Sequence, residues 1–146
     1  MSDTSDLRTL EEYQAIADEM NFPSNAHING KFVKAKSGKT FETINPATGK
    51  VLANIAACEK EDLDYAVKKA RQVYEKGTWS RMHPMERKEI MIHWIKLMKR
   101  NRFELAVLES LDSGKPIRDC QLLDLPEVIE NIGWYAEATD KLYNQL

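Results

Sequence analysis

Apolar residues recur at helical spacing near the start of the chain, where Leu10, Tyr13, Ala17 and Met20 share one side of the segment from Leu7 to Met20. Arg8, Glu11, Glu12, Asp18 and Glu19 occupy the other sides, so an amphipathic helix is predicted. It stops at Asn21-Phe22-Pro23-Ser24-Asn25, because proline biases its predecessor away from helical geometry. From His27 to Ala57 the pattern changes to short extended pieces. His27-Ile28 and Lys31-Phe32-Val33 flank Asn29-Gly30, a dipeptide that tolerates the positive dihedrals of a two-residue hairpin turn. Thr40 to Asn45 and Lys50 to Ala56 flank Pro46-Ala47-Thr48-Gly49, with proline early and glycine late as a turn requires. Three or four strands are expected.

Helical spacing returns after Cys58. Leu63, Ala66, Val67, Ala70, Val73 and Tyr74 form one stripe, opposed by Lys68, Lys69, Arg71 and Gln72, and Gly77 is placed to end the helix in the left-handed conformation. Cys58 stands where a serine would make a capping box with Glu61, and small cysteines usually behave as buried hydrophobes. The next helix opens at His83-Pro84-Met85-Glu86, with His83 as its cap and Met91, Trp94, Ile95 and Met98 as its stripe. Asn101 with Glu104 repeats the cap logic ahead of Phe103, Ala106, Val107 and Leu111, and this helix should end before Gly114-Lys115-Pro116. A last helix should begin near Asp124-Leu125-Pro126-Glu127 and run through Val128, Ile132, Tyr135, Thr139 and Leu142. The sum is an α+β fragment, mostly helical with a small sheet or hairpins, in which residues 1–26 form a helical extension.

Composition narrows the function. With 21 Lys and Arg against 23 Asp and Glu in 146 residues, the net charge is -2, too little for a nucleic-acid-binding module. The basic run Lys96, Lys99, Arg100 and Arg102 is interleaved with Glu86, Glu89 and Glu104, as on a solvated helix face. Apolar content of 42% suffices for one modest core. No apolar run approaches the about 18 residues of a membrane span, and the start lacks a signal peptide's basic flank and apolar stretch, so a cytosolic protein is expected. Cys58 and Cys120 form no C-x-x-C pair and have no evident base nearby, although Arg118 beside Cys120 could depress its thiol. His27, His83 and His93 stand in three different elements, against a zinc site. The six glycines make neither a dinucleotide nor a P-loop fingerprint.

Identity therefore rests on longer stretches. His27-Ile28-Asn29-Gly30-Lys31-Phe32-Val33, Thr40-Phe41-Glu42-Thr43-Ile44-Asn45-Pro46-Ala47-Thr48-Gly49 and Leu111-Asp112-Ser113-Gly114-Lys115-Pro116, in this order and spacing, resemble the opening of an NAD(P)-dependent aldehyde dehydrogenase. Glu61 to Val67, Trp79-Ser80, Pro84-Met85-Glu86-Arg87 and Trp134-Tyr135-Ala136-Glu137 resemble the same family, so the likeness runs from about residue 27 to the end. Asp124-Leu125-Pro126 and Trp134 to Tyr143 are similar to the bacterial members that oxidise γ-glutamyl-γ-aminobutyraldehyde or 4-guanidinobutyraldehyde in polyamine breakdown.

The resemblance implies that residues 27–146 are the N-terminal part of a cofactor-binding domain within the α/β fold of a longer enzyme, a homodimer or homotetramer using NAD or NADP. It also implies that the cysteine nucleophile, glutamate base, oxyanion-hole asparagine and glycine-bearing cofactor segment lie beyond Leu146, so catalytic and cofactor-binding residues within this span are none. Such a span would be inactive alone, and its unpartnered faces should leave Trp94, Trp134 or Leu142 exposed. The alternative is a free-standing truncated homologue acting as a helical binding or assembly module. Two site assignments fall within the span. The family's structural monovalent cation, K+ or Na+, would take oxygen ligands from Thr43, Ile44 and Asp112, donors suited to a hard ion. The alternative is that Asp112 only caps or hydrogen-bonds the chain near Gly114. Glu127 aligns with a substrate-channel position and would favour an amino- or guanidino-bearing aldehyde, set against a plainer role as a first-turn carboxylate on a helix dipole. If the cation assignment holds, Asp112→Ala in a complete enzyme lowers its affinity for potassium or sodium; unchanged binding in an ion titration refutes it.

Overall fold

The computed structural model describes residues 6–141, which divide into two units. The first is residues 21–81. Its strands β1 (Ala26–Ile28) and β2 (Lys31–Val33) pair antiparallel with His27 opposite Phe32. Asn29 and Gly30 have φ of 54° and 73°, the left-handed pair that the two-residue turn demanded. Strands β3 (Thr40–Ile44) and β4 (Val51–Ala56) form a second antiparallel pair, with a register irregularity between Thr43 and Ile44. Their connection closes on the buried Asn45, whose Oδ1 accepts the Ala47 N–H at 2.9 Å and whose own N–H donates to the Lys50 carbonyl at 2.8 Å. Each pair is a separate two-stranded sheet.

Helix α2 (Lys60–Lys76) starts one residue later than a Cys58 cap would place it. Asp62 performs the capping. Its Oδ2 accepts the Glu59 N–H at 3.0 Å and its Oδ1 accepts the Lys36 N–H at 2.9 Å, so one buried carboxylate closes the helix start and holds the preceding loop. A thiol accepts hydrogen bonds weakly, which is why Cys58 yields the role and stands exposed, contrary to the buried reading. At the far end Gly77 adopts φ 80°, and a Cβ there would collide with the Arg81 guanidinium. That guanidinium donates to the Glu75 carbonyl at 2.8 Å, an acceptor the helix leaves open, and Ser80 Oγ donates at 2.9 Å to the Tyr74 carbonyl, which also takes the Gly77 N–H.

The second unit contains α1 and everything from residue 82 onward. Helix α1 (Leu10–Glu19) opens with a reciprocal capping box: Thr9 Oγ1 accepts the Glu12 N–H at 3.2 Å, and Glu12 Oε2 accepts the Thr9 N–H at 2.9 Å. Helix α3 (Pro84–Arg100) is capped as expected, with His83 Nδ1 accepting the Met85 N–H at 3.3 Å. Asn101 departs from expectation. Its side chain donates to the Leu97 carbonyl at 2.9 Å, finishing α3 rather than starting α4 (Arg102–Ser113), because its carbonyl partner lies one turn behind it. Gly114, at φ 75°, ends α4 where predicted.

After Pro116 the chain stays helical to Ala138, through the short α5 (Ile117–Asp119), a π-turn (Cys120–Asp124) and α6 (Leu125–Ala138). The final helix therefore ends earlier than its periodicity suggested, and Leu142 lies outside the described residues. Helix α6 runs antiparallel to α3. Lys88 near the start of α3 bonds Glu137 near the end of α6 at 2.7 Å, and Gly133 faces Ile95 at the middle. Helix α1 packs on α4, and the core gathers Ala106, Cys120 and Leu125, flanked by Leu105 and Ile117.

Hydrogen bonds from the Glu59 N–H, then the Lys36 N–H, hold the Asp62 carboxyl below its ordinary pKa. A carboxyl depressed in the folded state adds stability above its unfolded pKa of about 3.9, and this is lost as pH falls through the lower folded value. Asp62→Asn is expected to lower Tm at pH 7, with the gap from wild type shrinking below about pH 4. Thermal melts across pH check it; a gap constant from pH 7 to pH 2 contradicts the assignment.

Candidate functional site

The best-organised polar constellation surrounds the π-turn. Its bond from the Leu125 N–H to the Cys120 carbonyl spans five residues, and a turn of this kind turns the following helix relative to an uninterrupted one. Gln121 within it is 3% exposed, and its Nε2 donates to Asp6 Oδ2 at 3.2 Å. Asp6 is gripped from the other side by Arg102, through Nε to Oδ2 at 3.0 Å and Nη2 to Oδ1 at 2.8 Å. That hydrogen-bonded guanidinium holds the Asp6 carboxyl below its usual range, and Asp6 in turn pushes the Arg102 pKa up. Arg102 was read as part of a solvated basic face. It is half-buried instead, and sequence periodicity could not show a partner 96 positions away.

Lys115 and Asp124 pair at 2.8 Å, closing the segment between α4 and α6. Cys120 is fully buried, and desolvation, followed by the nearby Asp124 and Glu109 carboxylates, raises its thiol pKa. The depressed thiol that Arg118 might have produced is not found, since Arg118 pairs with Asp119 at 3.1 Å. Glu127 lies exposed in the first turn of α6. It is the acidic residue of that turn, three residues after the Asp124 cap, and the helical backbone continues backward through Asp124. Glu127 forms no ion pair among the described residues.

Thr43 and Ile44 lie on β3 in the first unit, and Asp112 lies in the last turn of α4 in the second. His27 and His93 are exposed, and no cluster of three metal-ligating side chains occurs among the described residues. Glycines 30 and 49 sit in hairpin turns, 38 closes a turn on the Ala35 carbonyl, 77 and 114 end helices, and 133 lies within α6. None of these six opens a helix as a pyrophosphate cradle requires. In the first unit, a cleft of about 450 Å³ is lined chiefly by Ile28, Ala66, Ala70, Val73, Tyr74 and Trp79. Trp94 and Trp134 are 52% and 66% exposed, as expected of faces without partners. No helix among the described residues is long and apolar enough to cross a membrane.

The described residues are thus mostly helical, with two small two-stranded antiparallel sheets. The aldehyde dehydrogenase family model matches residues 32–146, and the chain belongs to that family. Aminoacetaldehyde dehydrogenase of Pseudomonas aeruginosa is 48% identical over 140 residues, 96% of this chain and 28% of the relative. The NADP/NAD-dependent aldehyde dehydrogenase PuuC of Escherichia coli is 40% identical, over 94% of this chain and 28% of its own. Among solved structures, the aldehyde dehydrogenase KauB from Pseudomonas aeruginosa superposes with a TM-score of 0.92 at 39% identity, over 95% of this chain and 28% of that one. A variant of the P. syringae indole-3-acetaldehyde dehydrogenase AldA, bound to NAD+ and IAA, gives 0.91 at 39%, over 94% and 28%. The chain thus spans a little over a quarter of the length of these relatives.

The two thiols differ enough to test the packing. Cys58 is expected to react promptly with an aromatic disulfide reagent at pH 8, and Cys120 on the order of a hundredfold more slowly, since it reacts only through local opening. Comparable rates for both would disprove the buried position of Cys120.

Proposed function

We propose that this chain is the N-terminal portion of an NAD(P)-dependent aldehyde dehydrogenase that converts an aldehyde, of the polyamine-derived aminoaldehyde class, to a carboxylic acid. The supporting observation is register. Between 94% and 96% of the chain aligns with dehydrogenases of which it makes up 28%. Two of the aligned relatives carry names specifying an aminoacetaldehyde and a γ-glutamyl-γ-aminobutyraldehyde, which supports an amino-bearing substrate. In this reading the complete enzyme is cytoplasmic and homo-oligomeric. The aldehyde carbon loses a hydride to NAD(P)+ and gains an oxygen from water, releasing NAD(P)H and protons.

The residues described here take no covalent part in that chemistry. Their share is to shape the approach to it, and Glu127 is the residue assigned to substrate selection. An exposed carboxylate at the head of α6, without an ion pair of its own among the described residues, attracts an ammonium or guanidinium tail. The 146-residue chain by itself is silent, because neither nucleophile nor hydride acceptor is positioned by it.

The decisive measurement is aldehyde-dependent NAD(P)H absorbance with the purified chain, accompanied by its intact mass: no turnover is expected, and turnover refutes the proposal. In a complete enzyme, Glu127→Gln is expected to reduce kcat/KM for a cationic aldehyde several-fold relative to a neutral one of equal length. An unchanged ratio removes Glu127 from substrate selection and leaves the family assignment intact.

A further inference from the structure

The family model begins at residue 32, yet Asp6 to Met20 is docked on the part of the fold it does match. Three contacts do this. Tyr13, 6% exposed, meets the Phe103 ring edge-on at 6.5 Å between centroids. The guanidiniums of Arg8 and Arg102 lie 4.0 and 4.2 Å from the centre of the same ring. Asp6 takes the forked grip of Arg102 and, through the same carboxylate, the amide of Gln121.

The energetic weight of this clasp is unevenly distributed. Asp6 and Arg102 keep 47% and 38% of their side-chain surfaces, and ion pairs this exposed contribute little by themselves. Gln121 is a different case, being 3% exposed. Its Oε1 has no donor among the described residues, so its bond to Asp6 is the one that compensates the burial of its side-chain amide. Without Asp6 both ends of a buried amide are unpaired, and the cheapest remedy is for Gln121 to swing outward, which opens the π-turn.

We propose that residues 6–20 are a built-in brace, and that Asp6, Arg102 and Gln121 are positioning residues that hold the π-turn shut and so set the rotation of α6. The N-terminal segment thereby controls which side chains α6 buries, Leu125 and Ala136, and which it presents outward, Glu127 and Trp134. The link from rotation to substrate selection rests on the channel role proposed for Glu127. The link from Asp6 to the turn does not.

Hydrogen exchange of the full 146-residue chain, followed by mass spectrometry, separates the two. In Asp6→Ala, which removes the acceptor of the Gln121 amide, amides of residues 117–127 are expected to exchange about tenfold faster or more, while those of α3 stay at the wild-type rate. Gln121→Leu removes the amide that needs Asp6, so in that background Asp6→Ala should no longer accelerate residues 117–127. No change at 117–127, equal acceleration in α3, or an undiminished effect in the Gln121→Leu background overturns the brace. In a complete enzyme, Asp6→Ala should raise KM for the aldehyde several-fold with kcat held. Exchange that rises as expected with KM unchanged keeps the brace and discards only its connection to Glu127.

Discussion

Ala106 and Cys120 have no solvent-accessible surface, and that close approach governs the helical unit. Two small side chains let α4 lie directly against the turn that precedes α6, and Leu125 fills the remaining space. A larger residue at either place would separate these elements, since packed interiors have no slack for another methylene. The same contact keeps the Cys120 thiol out of water. Its surroundings exclude the water that a thiolate needs, and the nearest carboxylates oppose the charge.

Large apolar side chains stand exposed along several of the helices. Leu63, Val67 and Tyr74 along α2 are 62%, 57% and 63% exposed, as are Trp134 and its T-shaped neighbour Tyr135 at 66% and 62%. Helical stripes of this size are normally covered, because each large apolar side chain left in water forgoes about 1.5–3 kcal/mol of burial. The chain matches nearly all of itself to relatives of whose length it fills 28%.

Electrostatics in this molecule works mainly on geometry. Asp62 spends its carboxylate on two backbone N–H groups, Lys88 reaches from α3 to Glu137, and Lys115 closes on Asp124. These groups fix where loops and helices meet.

Much was legible in the sequence because it is local. Asn29-Gly30 dictates its own turn through two positive dihedrals, Gly77 and Gly114 end helices through theirs, and His83-Pro84 starts one because its partner is two residues away. The family likeness was legible for the same reason, being carried by short stretches in order. Tertiary structure alone decided the partners of side chains that could satisfy their chemistry in several ways. Asn101 chose the helix behind it over the one ahead, Glu59 with Asp62 took the capping box of α2 in place of Cys58 with Glu61, and Arg102 left the solvated face to grip Asp6. Periodicity records which residues can form an element. Which of several acceptors a donor meets depends on where the folded chain brings distant residues, and that lies outside any local pattern.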